Sequence, residues 1–174
     1  MEKIREKIMK LFIKQCKKCK GLCCNDGADF TAFKDELNKI KAKNKGVIFP
    51  CRNQWGRYGK PKGIGIERIS LSGPCPLVGK RGCTLDINDK PLDCITYPIF
   101  PVIRYHKGNK QEIIGMVVHK SCPFSANISK DKKLIELIEA LWLEHYLNKV
   151  SNNELKHWFG NKRNYWLDKN IIKI

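Results

Sequence analysis

Long apolar runs are absent from this chain, which limits where the protein is expected to act. The first 15 residues scatter their charges and hold no run of about 7–15 apolar residues, so we expect no secretory signal. No segment approaches the roughly 18 apolar residues of a membrane-spanning helix. We therefore expect a cytoplasmic protein without a membrane partner, in a compartment that keeps thiols reduced.

Acidic residues are scarce as well. The chain has 17 Asp and Glu against 34 Lys and Arg, which gives a net charge of +17 over 174 residues. Such a charge favours polyanions, RNA among them, but does not indicate a fold. Residues 52–62 mix cations with Trp55 and Tyr58, a composition that can stack on single-stranded nucleic acid. A solvated loop is the simpler interpretation of the same segment.

Internal repeats, low-complexity tracts and recognisable linkers are also missing. The apolar content of 42% is enough for a hydrophobic core, and the length suits one domain. We therefore expect residues 1–174 to form a single domain. The pair Gly63-x-Gly65 lacks the third glycine and the following helix of a nucleotide-binding fingerprint, so it does not indicate a nucleotide site.

Apolar periodicity predicts an α+β fold, in which a small antiparallel sheet has flanking helices and metal-stapled cysteine loops. Ile4, Ile8 and Phe12 lie on one face of a helix that we expect to end before Cys16. Thr31 is a candidate N-cap for the next helix. Two apolar runs around a polar, glycine-containing turn indicate a β-hairpin. The predicted elements are helices over 3–14 and 32–43, a strand over 63–70, hairpin strands over 99–105 and 112–118, and a helical extension over 129–174.

Cysteine is the residue in excess. Nine cysteines are too many for an ordinary cytosolic enzyme, and clustered thiols in a reducing compartment bind metals more often than they form disulfides. Four of them lie in CKKCKGLCC (16–24), where Cys-x2-Cys is the common spacing at which one loop gives two thiolates to one metal. The others are Cys51, Cys75, Cys83, Cys94 and Cys122.

The adjacent pair Cys23-Cys24 bears on the number of metals. In an extended backbone, neighbouring side chains point to opposite sides. Two adjacent thiolates then serve two sites, or two metals of one cluster, more easily than a single ion. Eight cysteines could supply two four-thiolate centres, and the sequence leaves their partition open.

CKKCKGLCC resembles the CxxCxxxCC signature of the YkgJ-type cysteine-cluster proteins, a family described as zinc- or iron-chelating. The continuation CPLVGKRGCTLDINDKPLDCITYPIFP (75–101) is similar to that family's second block, and Cys122-Pro123 looks like its late Cys-Pro. The resemblance covers about residues 16–125, which are the expected metal-binding core. Lys90-Pro91 stands where the family usually has Arg-Pro, and Cys51 matches none of its positions.

The resemblance implies a metal site without a defined activity. All-thiolate ligation suits both zinc and iron–sulfur clusters. Adjacent cysteines, in loops without His, favour a 4Fe–4S cluster over zinc or mononuclear iron, and a redox protein is then the expected partner. His119 is an alternative ligand, although a single His at a strand end is more often an ordinary polar residue. The predicted ligands are Cys16, Cys19, Cys23, Cys24, Cys75, Cys83, Cys94 and Cys122.

Two other functions stay open at this point. One is an enzyme whose metal cluster keeps an open coordination site for a substrate. The other is a zinc-stapled RNA-binding module that uses residues 52–62. A radical enzyme that uses S-adenosylmethionine is excluded, because its Cys-x3-Cys-x2-Cys spacing is reversed here and the chain is short for that barrel.

Overall fold

A computed structural model describes residues 2–25, 30–49, 65–69, 73–80, 82–106, 111–147 and 171–174. The chain divides into two compact units. Residues 12–95 form the first, which we call the cysteine unit, and residues 1–11 with 96–174 form the second, the hairpin unit. The α+β class expected from the sequence is confirmed, since helices accompany small antiparallel sheets. That both units fold as one domain stays a prediction.

The cysteine unit is built from short elements around a small apolar core. Strand β1 (Phe30–Phe33) pairs antiparallel with β2 (Ile66–Ile69), and β3 (Val78–Gly79) pairs antiparallel with β4 (Gly82–Cys83). The core side chains are Ala32, Leu37, Ile40, Phe49, Ile69 and Leu77. The elements are α1 (Glu2–Cys19, whose residues 2–11 belong to the hairpin unit), α2 (Leu22–Asn25), β1 (Phe30–Phe33), α3 (Lys34–Lys43), β2 (Ile66–Ile69), β3 (Val78–Gly79), β4 (Gly82–Cys83) and α4 (Leu92–Thr96).

Two helix boundaries in this part of the chain differ from the sequence prediction. Helix α1 buries Ile8 and Phe12 as expected, but it continues to Cys19 because no Gly or Pro interrupts it before Gly21. Thr31 is not an N-cap, because it lies in β1, where pairing with β2 overrides its local preference for a cap. Helix α3 therefore begins at Lys34.

The hairpin unit contains a longer strand pair and an amphipathic helix. The predicted hairpin is confirmed as β5 (Ile99–Tyr105) and β6 (Gln111–His119), with a bulge between Val102 and Ile103. A C-terminal strand, β7 (Ile171–Lys173), adds to the free edge of β6, so the predicted helical extension ends in a strand. The helices are α5 (Ser125–Ile128) and α6 (Lys132–Trp142), and a π-helical turn follows at Leu143–Leu147.

Helix α6 carries the main apolar face of the hairpin unit. Leu134, Ile138, Leu141 and Trp142 are all fully buried, at the spacing of one helix face, and the helix packs against β5 and β6. Asp131 caps it, because its side chain accepts a hydrogen bond of 3.1 Å from the Leu134 N–H. Among the described residues, no helix combines the length and apolar character needed to cross a membrane.

Candidate metal centre

The last turn of α1 places Cys16 and Cys19 three residues apart on a helix rather than in a loop. Residues at this spacing share a helix face. The helix ends because Lys20 and Gly21 adopt left-handed φ angles of 53° and 68°, as is typical of helix C-termini. The chain turns there and enters α2 directly, so the first cysteine motif is held by two helix ends.

This turn lies against the segment that carries Cys75 and Cys83. A methyl group added to Gly21 would stand 3.8 Å from the Gly82 Cα, in ordinary van der Waals contact. The Cys75 N–H donates a hydrogen bond of 2.7 Å to the Cys24 carbonyl. Backbone contacts, independent of the thiols, therefore bring the two cysteine segments together.

Cys23 and Cys24 lie next to each other on α2, which corrects the expectation of an extended pair with opposed side chains. Successive helical side chains are only about 100° apart around the axis. The Cys23 side chain forms a hydrogen bond with Cys24, and this bond is the main reason that the pKa of Cys24 lies far above its ordinary value. Burial comes second, and the neighbouring Cys23, Cys94 and Cys83 thiols raise the pKa of Cys24 further.

Cys75 begins a tight turn that leads into the β3–β4 hairpin. The Val78 N–H donates to the Cys75 carbonyl at 2.9 Å, and β3 places Val78 opposite Cys83. Burial raises the pKa of the Cys75 thiol, while a hydrogen bond from the Leu77 N–H to that thiol acts against the rise. An amide that donates to sulfur stabilises a thiolate, which is what a metal ligand requires.

Cys94 is carried by α4, and two carboxylates tie that helix to its neighbours. Glu36 on α3 accepts hydrogen bonds of 3.0 Å from the Phe33 and Leu92 N–H groups. Asp93 on α4 accepts one of 2.7 Å from the Thr31 N–H of β1. Glu36 was not among the predicted site residues, because the N-cap of α3 is Phe33 rather than the Ser or Thr that marks a capping box in a sequence.

Surrounding protein raises the pKa of Cys94 well above its ordinary value, and Asp93, Cys83, Cys75 and Glu36 add to the rise in that order. The residue nevertheless keeps an exposed surface. Dense protein on one side of the residue and solvent on the other account for both observations.

Five thiols thus lie close enough that the charge of one alters the pKa of another, and all five belong to the cysteine unit. No disulfide joins any two of the seven cysteines whose side chains are described. As they stand, no three His, Cys, Asp or Glu side chains in the described part of the chain form a group that could hold a metal ion. The five are Cys23, Cys24, Cys75, Cys83 and Cys94.

The other three predicted ligands are Cys16 and Cys19 of α1 and Cys122, which follows β6. Cys122 lies in the hairpin unit, where its N–H donates to the His119 carbonyl at 3.3 Å. The His119 ring is held by Ser121, whose Oγ lies 2.7 Å from Nδ1 and 2.5 Å from the Tyr97 hydroxyl. Cys19 is half-buried at the end of α1. Cys51 and the Cys16 side chain lie outside the described residues.

The donor chemistry of the five thiols fits a thiophilic metal. Thiolates bind zinc and iron–sulfur clusters, and neither needs His or carboxylate ligands. The hydrogen bond with Cys23 and burial are the main causes of the raised pKa of Cys24, and burial is the main cause of the raised pKa of Cys94. Repulsion between neighbouring thiolates adds to both, and a cation bound between them would remove that part. The Leu77 N–H that donates to the Cys75 thiol also fits a metal site, because it stabilises the thiolate form of that side chain.

Comparison with known protein families, curated proteins and solved structures finds no match to this chain.

Proposed function

We propose that the cysteine unit binds a metal centre through thiolates, and that this centre is a 4Fe–4S cluster, with zinc or mononuclear iron as the alternatives. The observation that supports the proposal is the convergence of five thiols from three separate segments of one unit. Reduced, clustered thiols in such a number bind metal more readily than they serve as a hydrophobic core. The proposal includes a cytoplasmic location, because thiols stay reduced there.

The proposed ligands are the eight cysteines predicted from the sequence, and they differ in how much supports them. Cys23, Cys24, Cys75, Cys83 and Cys94 are supported by their proximity. The other three are supported by sequence pattern alone: Cys16, Cys19 and Cys122. Five neighbouring thiols exceed the four that one tetrahedral ion takes, which favours a cluster or a second metal.

The centre would hold together segments that bury little apolar surface of their own. Strands β3 and β4 have two residues each, and α4 has five. Elements this short have little stability alone. A bound iron–sulfur cluster would also supply one-electron chemistry to a redox partner.

Anaerobic purification followed by elemental analysis, acid-labile sulfide measurement and an absorption spectrum tests the proposal. Brown protein with iron and sulfide in equal amounts is the expected result. Colourless protein that contains zinc would reject the iron–sulfur cluster and retain a thiolate centre. Protein without bound metal, even after anaerobic reconstitution with iron and sulfide or with zinc, would reject the proposal.

Single serine substitutions identify the ligands. Cys94→Ser and Cys24→Ser are expected to lower the metal content per chain, because each removes a thiol of the group of five. Cys51→Ser is the matched control, since Cys51 matches no position of the family pattern, and it is expected to retain the wild-type content. Cys122→Ser decides whether the hairpin unit also supplies a ligand.

The two other functions have less support. The RNA-binding alternative depends on residues 52–62, which lie outside the described residues. It predicts RNA binding that weakens steeply with salt, and an absence of binding at low salt would reject it. The enzymatic alternative requires a metal with a ligand that the protein does not supply. Spectroscopy that accounts for every coordination position by thiolate sulfur would reject it.

A further inference from the structure

Helix α4 depends on its neighbours for its orientation. It has five residues, too few for a helix that is stable in isolation. Leu92 and Ile95 are buried on one side of it, at 0% and 1% exposure, while Cys94 is exposed on another. Small shifts of this helix would therefore move the Cys94 thiol relative to the other four.

Two carboxylates restrain such shifts, one that belongs to α3 and one that belongs to α4 itself. Glu36 reaches from α3 to the Leu92 N–H at the start of α4, with its second oxygen on the Phe33 N–H. Asp93 reaches from α4 back to the Thr31 N–H of β1. Because one acceptor belongs to α3 and the other to α4 itself, a slide or a rotation of α4 breaks at least one of these charge-assisted bonds.

We propose that Glu36 and Asp93 are positioning residues that hold Cys94 beside the thiols of α2 and of the Cys75–Cys83 segment. The inference rests on the proposed function, because it assigns to the pair the role of aligning one thiolate of that centre. Carboxylates behind a metal ligand also favour the bound cation electrostatically. Loss of such an outer partner commonly lowers metal affinity by about 10–100-fold.

A titration of the reduced full-length chain with Co²⁺, a spectroscopic substitute for zinc or iron, tests this role. Glu36→Ala and Asp93→Ala are expected to lower the Co²⁺ affinity by about 10–100-fold. Their sulfur-to-cobalt charge-transfer intensity per bound ion should fall to that of Cys94→Ser, since one thiolate is lost. A merely structural role would reduce the fraction of folded protein and leave the spectrum of the bound ion unchanged.

Conservative variants separate alignment from misfolding. Asp93→Asn retains an oxygen that can accept from the Thr31 N–H, so it should keep the wild-type spectrum while Asp93→Ala does not. Asp35→Asn is the matched control, because Asp35 is an exposed carboxylate on the same helix as Glu36, and it should behave as wild type. Wild-type spectra and affinities in both alanine variants would overturn the proposal.

A measurement without metal keeps this inference distinct from the proposed function. A short bifunctional thiol reagent, dibromobimane, should link Cys94 to another of the five thiols in the wild-type chain, with the linked peptides identified by mass spectrometry. The yield should fall in Glu36→Ala and in Asp93→Ala, because either change frees α4 to move Cys94 away from the other thiols. Links that form equally in all variants would reject the positioning role. Links that depend on the pair, in a chain that binds no metal, would reject only the metal centre.

Discussion

The two units of this chain reach stability in different ways. The hairpin unit combines strands of seven and nine residues with a helix that fully buries Leu134, Ile138, Leu141 and Trp142. The cysteine unit has strands of two to four residues, a smaller apolar core, and carboxylates that accept hydrogen bonds from backbone N–H groups. The first unit depends on hydrophobic burial, whereas the second depends more on polar bonds and, under the proposed function, on a metal bound by its thiols.

Removal of the proposed metal is expected to have the largest effect on stability, and that effect should be confined to the cysteine unit. Small structural zinc sites contribute about 10–16 kcal/mol, which is comparable to the whole stability of a domain. Treatment of the metal-loaded chain with a strong chelator under reducing conditions should therefore abolish amide protection in β1, β2 and α3. Hydrogen exchange with mass spectrometry should find β5 and β6 still protected. Simultaneous loss of protection in both units would contradict the contrast drawn above.

A substitution that creates a cavity in the hairpin unit tests the other half of the comparison. Ile138→Ala removes a fully buried side chain and should lower the free energy of unfolding by about 2–5 kcal/mol. Denaturant unfolding measures the loss, and the metal content per folded chain should not change. Glu136→Ala, an exposed position on the same helix, is the control and should stay within about 0.5 kcal/mol of wild type. A fall in metal content with Ile138→Ala would mean that the units are coupled.

The same contrast explains how far the sequence could predict the fold. In the hairpin unit, alternation and helical periodicity report burial directly, so the strand pair and the face of α6 were predictable. In the cysteine unit, long-range polar bonds decide the local structure. Thr31 became part of a strand because it pairs with Arg68 and donates to Asp93, and neither partner is close to it in sequence.

The candidate site was predictable in composition more than in geometry. The five neighbouring thiols are among the eight predicted ligands, but the sequence did not predict that Cys16 and Cys19 lie on a helix or that Cys23 forms a hydrogen bond with Cys24. These features follow from the point at which α1 ends, and helix ends depend on one or two backbone angles. Glu36 was overlooked because its second partner, Leu92, is 56 residues away.

Substitutions in the turn between α1 and α2 should change the free energy of unfolding by a smaller amount, in a direction that the φ angles of the turn predict. Gly21 has a φ of 68°, so Gly21→Ala should cost about 1–2 kcal/mol, although the added methyl group fits the space. Lys20 has a φ of 53°, so Lys20→Gly should be neutral or stabilising by up to about 1 kcal/mol. Gly73→Ala is the control, because its methyl group would meet no atom within 4 Å. Equal effects of Gly21→Ala and Gly73→Ala would show that the turn does not constrain the cysteine unit.

Exposed ion pairs should have the smallest effect, and both units contain one. Lys43 Nζ lies 2.6 Å from Asp89 Oδ2 in the cysteine unit, with 61% of the lysine side chain and 11% of the aspartate side chain exposed. Arg104 lies 3.3 Å from Glu112 across the hairpin, with about half of each side chain exposed. Lys43→Ala and Arg104→Ala should each change the free energy of unfolding by about 0–1 kcal/mol, and added salt should reduce the difference. If Lys43→Ala costs as much as Asp93→Ala, then the Lys43–Asp89 ion pair stabilises the cysteine unit as much as the bond from the Thr31 N–H to Asp93 does. If Lys43→Ala costs little and Asp93→Ala costs much, then the cysteine unit is stabilised by carboxylates that accept hydrogen bonds from backbone N–H groups. Salt screens those hydrogen bonds much less than it screens an exposed ion pair.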